Sequence, residues 1–260
     1  IAAGHLGTKT VRGFYTYEKA GMFGVAEPKK ENLAAHDTAV GGPIADAVQK
    51  VGVVGLGTMG SGIAQVCLTA GIEVIGIEME QAALETGKAR IEKNLSGAVK
   101  RGKMDEVAKK EILDRFRTST DLSRLADCDL IIEVIVENME IKLALFEKLG
   151  DIVKEEAIIA SNTSCLSVTA MAAKTKRPER VLGLHFFNPP YAMRLVEVIQ
   201  AIQTAPEIVE FGIAFCQRIG KMPVPVKDRP GFLVNRLLVP YLNHAAQAFD
   251  SELADKETMD

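Results

Sequence analysis

Apolar positions along most of this chain fall into short runs separated by stretches of helical period. The short runs, rich in Val and Ile, predict strands over residues 50–55, 73–78, 130–134, 157–160, 181–185 and 195–198. Helical intervals lie between most of them, and that alternation predicts a parallel sheet covered by helices on both faces. Residues 81–100 and 103–117 are charged, helical in period and broken at Arg101-Gly102, which predicts a helical hairpin standing out from the sheet. Its basic run, Lys100, Arg101 and Lys103, reads as a solvated face or, beside a cleft, as a contact for phosphates. Residues 21–42 concentrate Gly, Pro, Lys and Glu without either period, and 21–49 reads as a linker. Residues 221–226 read as a short strand interrupted by prolines. Asp228 marks a domain boundary, and a long apolar helix begins after Arg229-Pro230-Gly231.

One of these strand–helix junctions carries recognisable chemistry. In VGVVGLGTMGSGIAQVCLTAGIEVIGIE, residues 51–78, a strand runs into Gly55, Gly57 and Gly60, then a helix, then a second strand closing on Glu78. Gly55 permits a tight turn, Gly57 lets the backbone approach a pyrophosphate, and Gly60 lets the helix pack closely on the strand. Thr58 and Met59 open the helix, whose free N–H groups and partial positive charge suit an anion. A carboxylate at Glu78 accepts hydrogen bonds from adenosine ribose hydroxyls and repels a 2′-phosphate, which favours NAD over NADP. A plain glycine-rich turn and an FAD site are the alternatives for this loop. The expected class is therefore α/β: a Rossmann-type, doubly wound, mainly parallel sheet with a helical hairpin insertion, followed by the start of an all-α C-terminal domain.

The net charge of -3 gives no electrostatic reason to expect nucleic acid or an anionic membrane surface as partner, which leaves small molecules. The four cysteines are widely spaced with no CxxC pair, so neither a metal knuckle nor a disulfide framework is expected, and a reducing intracellular compartment is. No apolar run reaches the ~18 to 20 residues that span a bilayer. The opening residues lack the apolar core of a signal peptide, and Ile1 in place of Met suits a segment of a longer chain.

Three polar clusters fall at predicted strand ends, where ligands of open α/β sheets bind: EVIVENMEIK at 133–142, SNTSC at 161–165 and HFFNPP at 185–190. His185 is a natural proton acceptor for alcohol oxidation near neutral pH. Glu197 lies in the otherwise apolar LVEVI, where a carboxylate is costly to bury without a partner. If the chain reverses at Asn188-Pro189-Pro190, Glu197 pairs with His185 and fixes its tautomer; otherwise it faces water on an edge strand.

In their order and spacing, GLGTMGSGIAQ, VENMEIK, ASNTS, GLHFFNPPYAMRLVEVI and DRPGFLVNRLLVPYLNHA resemble the L-3-hydroxyacyl-CoA dehydrogenase family of fatty-acid β-oxidation, over roughly residues 51–260. The resemblance implies reversible, NAD-dependent oxidation of the 3-hydroxyl of an acyl-CoA, by a homodimer or part of a larger multifunctional polypeptide. It implies His185 as general base and Glu197 as its orienting acid, with Ser164 and Asn235 holding the substrate oxygens. It places Glu137, Lys142, Asn162 and Asn188 around the nicotinamide half of the cofactor. Helix capping is the alternative for Ser164 and Asn235. In domain terms, HLGTKTVRGFYTYEK within residues 1–20 resembles the end of the family's helical domain. Residues 50–228 resemble its NAD-binding domain, and 229–260 the start of its helical substrate and dimerisation domain. That order fits a fragment of a tandem dehydrogenase, a piece of a multifunctional enzyme, or a rearranged chain. With only the start of the helical domain present, His185 is expected to lie open to water and the apolar helix after Gly231 to seek a partner. A dehydrogenase of sugar 3-hydroxy acids and a non-catalytic NAD-binding relative, as among lens crystallins, are the competing readings.

Overall fold

The computed structural model describes residues 38–253 and 255–259; the segment 1–20 and the first part of the linker region lie outside them. The elements run α1 (Thr38–Asp46), β1 (Lys50–Val54), α2 (Thr58–Thr69), β2 (Glu73–Ile77), α3 (Gln81–Lys100), α4 (Glu106–Asp114), β3 (Phe116–Ser119), β4 (Leu130–Glu133) and α5 (Met139–Ile152). They continue β5 (Ile158–Ser161), α6 (Val168–Ala172), β6 (Val181–Phe186), β7 (Leu195–Gln200), α7 (Pro206–Arg218), β8 (Met222–Lys227), α8 (Val234–Asp250) and α9 (Lys256–Met259).

The strands form one sheet in the order β3-β2-β1-β4-β5-β6-β7-β8. The strands from β3 to β6 are parallel, β7 is antiparallel to β6, and β8 runs parallel to β7. Apart from the first residue of β1, the central strands β1, β4, β5 and β6 are buried throughout. They read as nearly continuous apolar runs because helices cover both faces. Successive strand residues feed two cores. Val51, Val53, Leu130 and Ile132 join α2, α3 and α7 on one face. Val54, Ile131 and Ile159 join Phe146 and Leu149 of α5 and Met171 of α6 on the other. The parallel connections bring the carboxyl ends of β1, β2, β4, β5 and β6 to one rim of the sheet, where ligands of such folds bind.

Three expectations from sequence are corrected. The linker assigned to 21–49 contains α1, which packs on α7. Gly41 permits this, since a Cβ there would lie 2.2 Å from the Glu210 carbonyl carbon. Arg218 Nη1 closes the end of the helix by donating to the carbonyls of Ala45 (2.6 Å) and Val48 (2.7 Å). Gly41, read from the sequence as part of the linker, is a close helix contact. The helix expected over 103–117 is shorter, opening on an Asp105 N-cap that accepts from Ala108 N at 2.7 Å, and Phe116 and Arg117 instead begin β3. Four residues are too few to show a strand period, and pairing with β2 decides their conformation. Finally, α3 does not stand clear of the sheet: Leu84, Gly87, Ile91 and Leu95 form a buried stripe, with Ile91 and Leu95 in the same core as α2.

Candidate active site

The glycine loop after β1 is shaped by contacts that admit no side chain. Gly55 has φ +96°, and a Cβ there would meet the Val134 carbonyl at 2.6 Å. A Cβ on Gly60 would lie 1.8 Å from the Gly55 carbonyl oxygen, so α2 packs on the turn only because residue 60 is glycine. Around Gly57, by contrast, a Cβ would find nothing within 4 Å, and no side chain caps the N-terminus of α2. The backbone is bare on the side from which a pyrophosphate would approach, and the helix offers unpaired N–H groups there through Thr58 and Met59. Beside the loop lies a cavity of about 730 Å³ whose lining includes Gly55, Glu78, Asp121, Leu122, Ile141 and Lys148. Glu78 Oε1 accepts from Leu56 N at 2.6 Å, which fixes the carboxylate at the cavity wall. Bare backbone, helix N-terminus and acid-edged cavity fit the adenosine and pyrophosphate of a dinucleotide.

Further along the rim, β6 and β7 pair so that His185 sits opposite Glu197. His185 Nδ1 is 2.7 Å from Glu197 Oε2. The reversal at Asn188-Pro189-Pro190 therefore does what the sequence suggested, and the water-facing alternative for Glu197 is excluded. The strand is interior, flanked by β6 and β8, and Glu197 is fully buried. Glu197 Oε1 accepts two further hydrogen bonds, from Leu233 N and Val234 N at 2.9 Å each, at the start of α8. Burial pushes the Glu197 pKa up, but the bonds from His185, Val234 and Leu233 outweigh it and hold the group below its ordinary value. An ionised carboxylate can only accept, so Nδ1 donates to it, and in the neutral tautomer that this bond selects the lone pair is on Nε2. The expectation that His185 lies open to water is corrected: it is 6% exposed, with the rings of Phe187 and Phe232 at 4.5 and 5.9 Å.

A second network joins β4, β5 and the start of α8. Glu137 Oε1 accepts from the Thr163 hydroxyl (2.6 Å), Ser164 N (2.8 Å) and the Ser164 hydroxyl (2.9 Å). Asn235 Nδ2 donates to the Ser164 carbonyl at 3.1 Å, which brings two candidate substrate-holding residues together. Capping does not account for Ser164, because the N-cap of α6 is Ser167. Lys142 is 1% exposed, its ammonium 2.5 Å from Glu133 Oε1 and 3.5 Å from Glu137 Oε2. Its surroundings are thus carboxylates rather than open cleft. Asn162 Oδ1 accepts from Phe186 N at 2.8 Å, tying the serine loop to the strand that carries His185, and Asn188 is exposed on the loop that follows.

Glu133 and Ser161 open two of the polar clusters seen in the sequence but were given no role of their own there. Glu133 is fully buried and accepts from Ile135 N (2.8 Å), the Ser161 hydroxyl (2.6 Å) and Lys142. The available signal was a carboxylate closing an apolar strand, the same one that marked Glu78. Among the described residues, no group of three or more His, Cys, Asp and Glu is placed to hold a metal ion, and no helix is long and apolar enough to cross a membrane.

Glu137 resembles Glu197 electrostatically. Burial raises its pKa, but the bonds from Thr163 and Ser164 and the charge of Lys142 lower it more, so the net value lies below 4.5. Stability from both groups is therefore complete above the unfolded value of 4.5 and lost as pH falls through the lower folded values. Thermal unfolding followed by circular dichroism should show Tm falling between about pH 5 and pH 3, with a shallower fall in Glu137→Gln. Equal slopes for the two proteins would refute the assignment.

The parallel sheet, bare glycine loop and acid-edged cavity define a dinucleotide-binding α/β protein, and the buried imidazole–carboxylate pair on the same rim is suited to oxidoreductase chemistry. Residues 50–229 match the model of the 3-hydroxyacyl-CoA dehydrogenase NAD-binding domain. A probable 3-hydroxybutyryl-CoA dehydrogenase of Deinococcus radiodurans is 44% identical over 211 residues, 81% of this chain and 76% of the relative. The pig mitochondrial hydroxyacyl-coenzyme A dehydrogenase is 39% identical over 235 residues, 88% of this chain and 75% of the relative. Among solved structures, the (S)-3-hydroxybutyryl-CoA dehydrogenase of Ralstonia eutropha superposes with a TM-score of 0.81 at 40% identity, covering 82% of this chain and 76% of that one. The chain belongs to the 3-hydroxyacyl-CoA dehydrogenase family, NAD-dependent oxidoreductases, and its cofactor is NAD.

Proposed function

We propose that the protein oxidises the 3-hydroxyl of L-3-hydroxyacyl-CoA esters to the 3-ketoacyl-CoA, and the reverse, as a step of fatty-acid β-oxidation. The observation that carries this reading is the 2.7 Å bond between His185 Nδ1 and an ionised, buried Glu197, in a chain of this family. His185 Nε2 takes the hydroxyl proton, and Glu197 stabilises the imidazolium that results. Bound NAD would supply the acceptor for the hydride that leaves the adjoining carbon. Ser164 and Asn235 hold the substrate oxygen and steady it as it becomes a carbonyl. Glu137 takes the Ser164 hydroxyl hydrogen in this structure, so turning that hydrogen onto substrate exchanges one acceptor for another. Glu137, with Lys142 behind it, and Asn162 and Asn188 shape the nicotinamide half of the site. We assign 50–228 to the cofactor domain and 229–260 to the start of a helical substrate and dimerisation domain. The exposed Leu237, Leu238, Tyr241 and Leu242 of α8 give that helix an apolar face suited to a further surface.

The test compares acetoacetyl-CoA with free acetoacetate as substrates for NADH oxidation by the full-length protein. Turnover of the thioester alone supports the reading, whereas equal or better use of the free acid supports the related 3-hydroxy-acid dehydrogenases. Cofactor choice gives a separate check. Glu78→Gln keeps an oxygen for Leu56 N but removes the charge, and should reduce the preference for NADH over NADPH by roughly tenfold, about 1.4 kcal/mol. An unchanged ratio would remove Glu78 from this role.

A further inference from the structure

We propose that Phe232 is the positioning residue for the His185–Glu197 pair, acting through the ring it lays against His185 and the left-handed backbone that aims two N–H groups at Glu197. The inference rests on the reading of His185 as the base.

Phe232 has φ +47°, following Gly231 at +76°. A bulky residue is rarely found in that region, and a second glycine would adopt it without strain. The strain is held between two fixed points. Upstream, Asp228 Oδ2 accepts from the Ser167 hydroxyl (3.0 Å) and Thr169 N (2.8 Å), anchoring the end of β8 to α6. The turn then closes with Phe232 N donating to the Arg229 carbonyl at 2.8 Å. Downstream, Leu233 N and Val234 N both reach Glu197 Oε1.

What the strained residue supplies is visible on both sides of it. The residue is 4% exposed, and its ring centroid lies 5.9 Å from that of His185, so with Phe187 at 4.5 Å it is one of two aromatic rings bordering the imidazole. Its backbone directs the next two amides onto Oε1, which leaves Oε2 for Nδ1. The two oxygens of Glu197 are thereby divided, and a carboxylate rotated by loss of the amides would also lose its line to His185. No residue of α8 itself is buried, so the hold of this helix on the sheet is concentrated in its first turn and in Phe232.

The experiment uses Phe232→Val, which removes the ring and resists positive φ, and Phe232→Tyr, which keeps the ring. Acetoacetyl-CoA and NADH are the substrates, NADH affinity is read by fluorescence titration, and the downfield imidazole N–H proton of His185 is read by NMR, assigned by its absence in His185→Gln. Phe232→Val should lower kcat by ~10- to 100-fold with NADH affinity retained and the N–H signal shifted or lost, while Phe232→Tyr keeps both. An unchanged kcat and N–H signal in Phe232→Val, or parallel loss of kcat and NADH affinity, would overturn the proposal. If the wild type has no turnover, the functional reading fails and the N–H signal alone decides the role of Phe232.

Discussion

His185→Gln should lower kcat for acetoacetyl-CoA reduction by ~10² to 10⁴-fold while NADH binds as in the wild type. The separation follows from the geometry. The imidazole belongs to β6 and its loop, whereas the glycine turn, the N-terminus of α2 and the Glu78 cavity belong to β1 and β2, on the other side of β4 and β5 in the sheet. Glutamine can still offer a hydrogen bond to Glu197, so the buried carboxylate keeps a partner, but it cannot exchange a proton near neutral pH. Stopped-flow kinetics with fluorescence titration of NADH reads both quantities on one preparation. A variant that turns over at the wild-type rate removes His185 from the mechanism.

Glu197→Gln should cost a comparable amount, on the order of 10³- to 10⁴-fold in kcat, through the tautomer rather than through loss of a base. The amide oxygen can take the place of Oε1 and accept from Leu233 N and Val234 N. The amide NH₂ then faces His185 Nδ1, which must accept instead of donate, so the ring carries its hydrogen on Nε2 where the substrate proton has to go. Glu197→Ala is a harsher change, leaving two amides and an imidazole N–H without their acceptor in a buried site, and should also lower Tm. The pair of variants separates roles: Gln impairs chemistry with little loss of stability, and Ala impairs both. Full activity in Glu197→Gln would show that the carboxylate does not set the tautomer.

The glycine loop was legible in the sequence because its requirements are local. Positive φ at Gly55 and backbone contact at Gly60 can be met by one residue type, in a fixed order of strand, turn and helix. Glu197 was legible for a different reason, since a carboxylate inside an apolar strand must find a partner. Elements decided by distant contacts were not. Gly41 in α1 reads from the sequence as part of the linker because its reason for being glycine is the α7 backbone. The strand at Phe116–Ser119 exists through its pairing with β2 and has no period of its own to read. Lys142, placed at the cofactor by resemblance, is enclosed with Glu133 and Glu137, a relation that only the meeting of β4 and α5 creates. The strain at Phe232 is invisible in a Pro-Gly-Phe sequence, because the residue that bears it is ordinary in composition and unusual only in backbone angle.

The reaction proposed for this site removes the hydride from C3 of an L-3-hydroxyacyl-CoA, the carbon that bears the hydroxyl, as His185 takes the hydroxyl proton. The most direct measurement supplies the full-length protein with NAD and either L- or D-3-hydroxybutyryl-CoA and follows NADH absorbance. NADH forming with the L ester and not with the D ester is the predicted result. NAD binding without NADH formation from the L ester, or equal rates from both, would contradict it.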